Sequence, residues 1–432
     1  MLYKPLYLSL LYLVVGFVYF LFGPVEYHIN NQSELVLYFL LYMIAGMVGY
    51  VLGVYFILRL KANKSEKVFV VNFGVVALVA FSASAVFNLV ATKESLIPIN
   101  VFEFLRNLIA FDTLALANAY YEKKAAAEGH GGNLFASGLL LVFGWARFIF
   151  LPYIIWNWAS LSRGKRLASI LIVVFPVLTG LSVGTNKPIF DVALVFFLST
   201  LSIYYIRRIA NEEEESRRLK GLLRKTGYFL CVAILLFGVS MNFRGVTFDY
   251  IEANSVSGNI TVDNDLEENV FSVGVLMLGH YMVQGYYGMS LSLSEKHESS
   301  FGFGHSPFLL RQLERVSGER FSERTFQAKI NHEWAMGVRW HSAFSQFAND
   351  VGFPGVVLVV FVIFFMFALS WVMACVYRCR EFIYTLPLHG IIVIFLPANN
   401  QVFGFLDSLF LVLLITLLLL YRALRNGGRK IC

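Results

Sequence analysis

Apolar stretches of about 20 residues recur along this chain, each long enough to cross a bilayer. A backbone in hydrocarbon must satisfy its polar groups within a helix or a closed barrel, so these runs predict membrane-spanning helices. The series breaks once. After about Phe243 the sequence stays polar and charged until Gly352, and then the apolar runs resume. A polar segment of that length has to face water, which places a large loop outside the hydrocarbon. Of the 432 residues 58% are hydrophobic and 15% charged, and the 42 Phe and 22 Tyr suit lipid-facing helices with interfacial belts. The expected fold class is an all-α polytopic integral membrane protein.

Ten spans are expected: Leu6 to Gly23, Leu35 to Leu60, Val68 to Val90, Leu134 to Trp158, Leu167 to Gly184, Pro188 to Ile206, Gly227 to Phe243, Gly355 to Tyr377, Phe382 to Leu396 and Val402 to Tyr421. The first lacks a small-residue cleavage site and reads as an uncleaved anchor. Basic residues collect after the second span (Arg59, Lys61, Lys64, Lys67), the fourth (Arg163, Lys165, Arg166), the sixth (from Arg207 to Lys225) and the eighth (Arg378, Arg380). The positive-inside rule makes these connections cytoplasmic, together with the tail carrying Arg422, Arg425, Arg429 and Lys430. Both termini then lie inside. The chain divides into a seven-span bundle over 1–243, an exterior loop over 244–352 and a three-span bundle over 353–432.

Two other apolar segments would upset that parity if they crossed. Val101 to Tyr121 carries Glu103, Arg106 and Asp112, and an Arg or Asp at the bilayer centre costs about 2.5–3.5 kcal/mol on insertion scales. It is expected to be an exterior or re-entrant helix within 93–133. Val270 to Leu293 is flanked by exterior sequence and is expected to lie in the interface. The net charge of +7 comes from basic residues at helix ends, a topology signal and not a nucleic-acid surface. No internal repeat of the kind symmetric transporters carry is evident. The acidic run Glu212 to Glu215, enclosed by Arg217, Arg218 and Lys220, reads as a solvated helix with i, i+4 pairing.

Several residues carry candidate chemistry. His341, between Trp340 and Ser342 near the loop exit, is expected at the exterior surface, where an imidazole can accept a hydroxyl proton. A histidine hydrogen-bonded at a helix end is an equal alternative. Asp350, with Gly352 and Gly355, reads as the cap and start of the next helix. Arg244 follows the seventh span, Lys187 lies between the fifth and sixth, and Arg147 sits inside the fourth, where it should face the bundle interior or a wet cavity. Guanidinium groups would give a phosphate bidentate, charge-assisted bonds. Lys187 is otherwise a snorkelling lysine, or the partner of Asp191 one turn on.

The stretch Gly302, Phe303, Gly304, His305 reads as a tight turn. Downstream, Arg311, Arg315, Arg320 and Arg324 alternate with Glu314, Glu319 and Glu323, as in helical pairing. Asn331, His332, Glu333 and Trp334 mix polar and aromatic groups in the manner of a sugar-contacting surface. There is no HExxH motif and no carboxylate cluster of the kind a divalent cation needs, so no metal and no cofactor are expected. None of the four cysteines falls in the loop, and Cys375 and Cys379 are spaced as a helical i, i+4 pair.

With its ten or so spans, its large exterior loop and a loop exit reading Trp340, His341, Ser342, then Asn349, Asp350, Val351, Gly352, Phe353, Pro354, Gly355, the chain resembles the O-antigen polymerase and ligase superfamily. Gln284 to Leu291, followed by Gly302 to His305, is more similar to the oligosaccharide repeat unit polymerase (Wzy-type) branch. The resemblance implies a bacterial inner-membrane enzyme that joins glycans carried on undecaprenyl pyrophosphate at the exterior, periplasmic leaflet, without a metal. Its partners would be the lipid-linked donor and acceptor, the bilayer and a chain-length regulator. The roles implied are His341 and Arg244 in catalysis, and Arg244, Arg339, Lys187 and Arg147 on the pyrophosphate. Tyr286, Tyr287, His305, His332, Trp334 and Trp340 would contact the glycan. A ligase that passes the glycan to another acceptor, or a transporter of lipid-linked oligosaccharide, are the alternatives.

Overall fold

The computed structural model describes residues 1–59, 72–92, 95–98, 101–102, 106, 134–183, 185, 187–243, 248, 251, 260–263 and 269–425. Most of the expected exterior segment 101–121, and Arg244, lie outside them. The helices are α1 (Lys4–Phe22), α2 (Gln32–Arg59), α3 (Phe73–Thr92), α4 (Leu134–Phe143), α5 (Ala146–Asn157), α6 (Arg163–Val183), α7 (Lys187–Ile209) and α8 (Glu213–Phe243). After them come α9 (Val270–Leu293), α10 (Pro307–Ser317), α11 (Phe326–Lys329), α12 (Ala343–Cys375), α13 (Arg380–Phe395) and α14 (Leu406–Arg425). Among the described residues eight helices are long and apolar enough to cross a membrane, with α4 and α5 counted as one. The protein is therefore an all-α chain of the polytopic membrane type. The last two expected spans correspond to α13 and α14. At 16 residues, α13 measures about 24 Å, at about 1.5 Å per residue, against a hydrocarbon core of about 30 Å.

Small residues let the helices approach closely. On α2, Gly46, Gly49 and Gly53 form one stripe against α12. A Cβ on Gly49 would stand 2.3 Å from the Phe361 carbonyl oxygen, and one on Gly53 2.7 Å from that of Phe365. Where α8 meets α9 the crossing is glycine on glycine, since a Cβ on Gly238 would lie 2.8 Å from Gly274 Cα.

The basic connections gather at one end. Glu212, between α7 and α8, pairs with both Arg207 and Arg378, and the Tyr377 hydroxyl donates to the Ile57 carbonyl at the end of α2. Tyr50 of α2 reaches the Leu2 carbonyl there. The long loop occupies the opposite end.

In that loop α9 is a 24-residue helix with the bounds of the expected apolar segment, Val270 to Leu293. Its first turn is closed by a capping box in which the Asn269 side chain accepts from Ser272 N at 3.0 Å and Ser272 Oγ accepts from Asn269 N at 2.9 Å. It packs on Tyr19 of α1, Phe237 of α8, Phe344 at the start of α12 and the Pro397 carbonyl beyond α13. These are the loop-bearing ends of those helices, so α9 lies across the end of the bundle. A short antiparallel pair adds a second tie. Strand β1 (Val25–Tyr27), after α1, pairs with β2 (Ile260–Val262) from the loop, Val25 opposite Val262.

Two expectations at the loop exit are corrected. Helix α12 begins at Ala343, capped by Ser342, and not beyond Asp350. Gly352 then breaks it with φ +68° and ψ 164°, a conformation that glycine alone adopts cheaply. Cys375 ends α12 and Cys379 caps α13, so the two do not share a helix.

Candidate functional site at the loop-bearing end

Asp350 and Asn349 face back into the loop. The Asp350 carboxylate accepts from the backbone N–H of Gly302 (3.0 Å), Gly304 (2.8 Å) and His305 (3.0 Å), and pairs with His305 Nδ1 at 3.0 Å. It is therefore the clamp of the Gly302–His305 turn and not a helix cap. Asn349 donates to the Gly304 carbonyl (3.0 Å) and to Gln327 Oε1 (2.7 Å), and accepts from Phe326 N (2.9 Å). Adjacent residues of α12 thus staple two separate loop segments to the bundle.

A second cluster is buried beneath the loop. The His341 ring packs on Gly288, where an added Cβ would stand 3.2 Å from Nδ1 and 3.0 Å from the Trp334 indole. His341 is buried, and neither ring nitrogen has a hydrogen-bond partner among the described residues. Burial pushes its pKa down to about 3, because a desolvated imidazole resists protonation. The sequence placed it at the surface; the enclosing α9 and the Trp334 turn are the reason it is not there.

Nearby, His280 of α9 lies between the Tyr27 hydroxyl (2.7 Å to Nδ1) and Arg339 (Nη1 3.3 Å from Nε2). Guanidinium nitrogens only donate, so Nε2 accepts, the proton resides on Nδ1, and that N–H donates to Tyr27. Burial first, and the Arg339 charge second, lower the His280 pKa to about 3.

The third feature is a cavity of about 180 Å³ among α3, α5, α6, α7, α13 and the α13–α14 connection. Its walls are largely apolar, but Arg147, Lys187, Asp191 and Gln401 line it. The Arg147 guanidinium lies over the Phe87 ring at 3.7 Å. Lys187 pairs with Asp191 at 2.7 Å and lies over the Phe405 ring, and Gln401 Oε1 is buried with no hydrogen-bond partner among the described residues. Among the described residues two cationic side chains and one carboxylate therefore line this cavity. The α13–α14 connection joins it to the other clusters, since Asn400 donates to the His305 carbonyl (2.9 Å) while Gln346 donates to both Asn399 Oδ1 (3.0 Å) and the His341 carbonyl (3.2 Å).

The structure thus brings Arg147 and Lys187 together and sets Arg339 elsewhere, against His280 and Trp334. Tyr286 is enclosed by Phe17, Phe39 and Phe344 and presents no surface. Tyr287 and Trp334 pack edge to face, both buried, while Trp340 is half-buried against Tyr281. His332 is exposed beside Glu333. His280, Gln284, Tyr27, Asn349, Asn399 and Gln401 were given no role of their own by sequence, although Gln284 and Asn349 stand within the stretches that carry the resemblance. One signal for the first two was available: His280, Gln284 and Gly288 recur every fourth residue in an otherwise apolar helix, a polar stripe on one face. Among the described residues no cluster of three or more His, Cys, Asp or Glu suits a metal.

The chain matches no family model, no curated protein and no solved structure. Fold and site define a class: a polytopic helical membrane protein with a loop stapled over one end, beside a largely apolar cavity that Arg147 and Lys187 line.

Proposed function

We propose that this chain is a bacterial inner-membrane glycosyltransferase that polymerises undecaprenyl-pyrophosphate-linked repeat units at the exterior face, with both termini cytoplasmic. The observation that carries the reading is the cavity of Arg147 and Lys187. A polyprenyl pyrophosphate is an apolar chain ending in a dense anion, and apolar walls with two cations at the loop-bearing end complement both parts. In the reaction the acceptor sugar hydroxyl attacks the anomeric carbon of the donor, and the bond from that carbon to the pyrophosphate oxygen breaks with its electron pair on the oxygen. Arg147 and Lys187 stabilise the leaving anion, joined by Arg244, which is placed by sequence alone.

His341 takes the hydroxyl proton. Enclosed as it is, it is too weak a base. The turn from Asn331 to Trp340 has to lift from Gly288 for the imidazole to return toward its ordinary value of about 6.5.

The test is chain extension by the purified protein in nanodiscs supplied with lipid-linked repeat units. Arg147→Gln and Lys187→Gln should each lower extension about 10²-fold, the cost of removing one donor to a developing anion. Undiminished polymer in both variants would defeat the reading. Transfer of single repeat units to a separate lipid acceptor, with no extension, would identify a ligase instead.

A further inference from the structure

A second cavity, of about 540 Å³, opens at the other end of the same helices, between α5, α6, α7 and the first turns of α8. Trp158, Val174 and Phe196 give it apolar walls, while Arg218 and Lys225 stand at its rim with Gly221 between them. Positions 218, 221, 222 and 225 are spaced i, i+3, i+4, i+7, so one face of α8 carries both cations toward the cavity. Arg218 shares its charge with Glu215 at 3.0 Å. Lys225 has neither ion pair nor hydrogen bond among the described residues. The aromatic rim is fixed in place, because Arg166 donates to the carbonyls of Trp158 (3.2 Å) and Ala159 (3.3 Å). A tryptophan and basic side chains at the end of an apolar pocket form the combination found where helices meet headgroups.

We infer that this cavity binds a glycerophospholipid with an anionic headgroup, its phosphate against Arg218 and Lys225 and an acyl chain along Phe196 and Val174. The volume lies within the range of about 300–1,000 Å³ typical of ligand sites. The inference does not rest on the reaction proposed above.

The test offers detergent-purified full-length protein equal amounts of phosphatidylglycerol and phosphatidylcholine, and counts retained lipid by native mass spectrometry. Phosphatidylglycerol should be preferred, and Arg218→Gln with Lys225→Gln should cut that preference about tenfold. Gly221→Phe supplies an independent arm. A Cβ there meets nothing within 4 Å, so the ring can enter the cavity without disturbing backbone, and it should lower retention of both lipids. Inorganic phosphate should neither compete nor stabilise. Equal retention of the two lipids by the unmodified protein, or an unchanged preference in the double variant, overturns the inference, as does a thermal shift with phosphate equal to that with lipid.

Discussion

His341 is held at a cost. An imidazole with neither nitrogen partnered among the described residues, inside apolar packing, gives up hydration for nothing that holds the fold together, and such groups in a native structure point to chemistry or stored strain. His341→Leu should therefore raise the thermal stability of the purified protein at pH 7, by about 1 kcal/mol or more, while abolishing chain extension; a stability loss would make the residue structural. The pH dependence has a defined sign. His341 and His280 titrate near 3 when folded and near 6.5 when unfolded, so below pH 6.5 the unfolded chain binds more protons. Stability should be flat above about pH 6.5 and fall by about 1.4 kcal/mol per pH unit per histidine between there and about pH 3. Unfolding scans at pH 7 and pH 5 check this, and His341→Leu should flatten the slope. Asp350 is the opposite case, a residue whose value is a set of satisfied donors. Asp350→Ala strands three backbone N–H groups, at about 1–3 kcal/mol for each that is buried, and should expose residues 299–306 to protease without unfolding the helices. The sequence pointed to His341 and Asp350 as notable, but whether a loop residue is enclosed depends on what folds over it, and no local pattern encodes that.

At the scale of elements, α9 holds the loop to the bundle, and its glycines are where it touches. A Cβ on Gly285 would lie 2.3 Å from the Pro397 carbonyl oxygen and 2.6 Å from Ser342 N, both backbone atoms that cannot swing aside. Gly285→Ala should destabilise by about 1–3 kcal/mol through overpacking. Gly227→Ala in α8, where nothing lies within 4 Å, should instead stabilise by a few tenths to about 1 kcal/mol. Thermal unfolding of the pair separates close approach from helix propensity, and equal effects would refute the packing argument. Each expected span has a helix in its place because a 20-residue apolar run has few other ways to satisfy its backbone. The part of α12 beyond the Gly352 break begins close to the expected span start at Gly355, whereas the helical turns from Ala343 before the break were not expected, because that segment is polar enough to read as loop and is held by the Ser342 cap and the staples on Asn349 and Asp350. Strand pairing between Val25–Tyr27 and Ile260–Val262 joins segments over 230 residues apart in the chain, and neither segment is long enough to announce itself.

For the whole molecule, the basic connections that sequence assigned to the cytoplasm converge in space. Lys4 lies over the Tyr205 ring at 4.9 Å, Arg207 over Trp156 at 3.7 Å, and Glu212 joins Arg207 to Arg378. Residues from the N-terminus, the α7–α8 connection and the α12–α13 connection therefore share one end, while Lys187, Gln401, His305 and His341 share the other. An even number of crossings must separate connections that lie at the same end, and the helix order satisfies this from α6 onward. In the proposed orientation this basic end is the cytoplasmic one, as the positive-inside rule expects. Reporters fused after Arg208 and after Arg380 should register cytoplasm. A single cysteine or epitope placed after Gly318, where a side chain meets nothing within 4 Å, should be reached by a membrane-impermeant reagent in intact spheroplasts. Labelling at 318 only after permeabilisation would turn the molecule over, put the Arg147–Lys187 cavity at the wrong leaflet for exterior polymerisation, and sink the proposed reaction without affecting the fold.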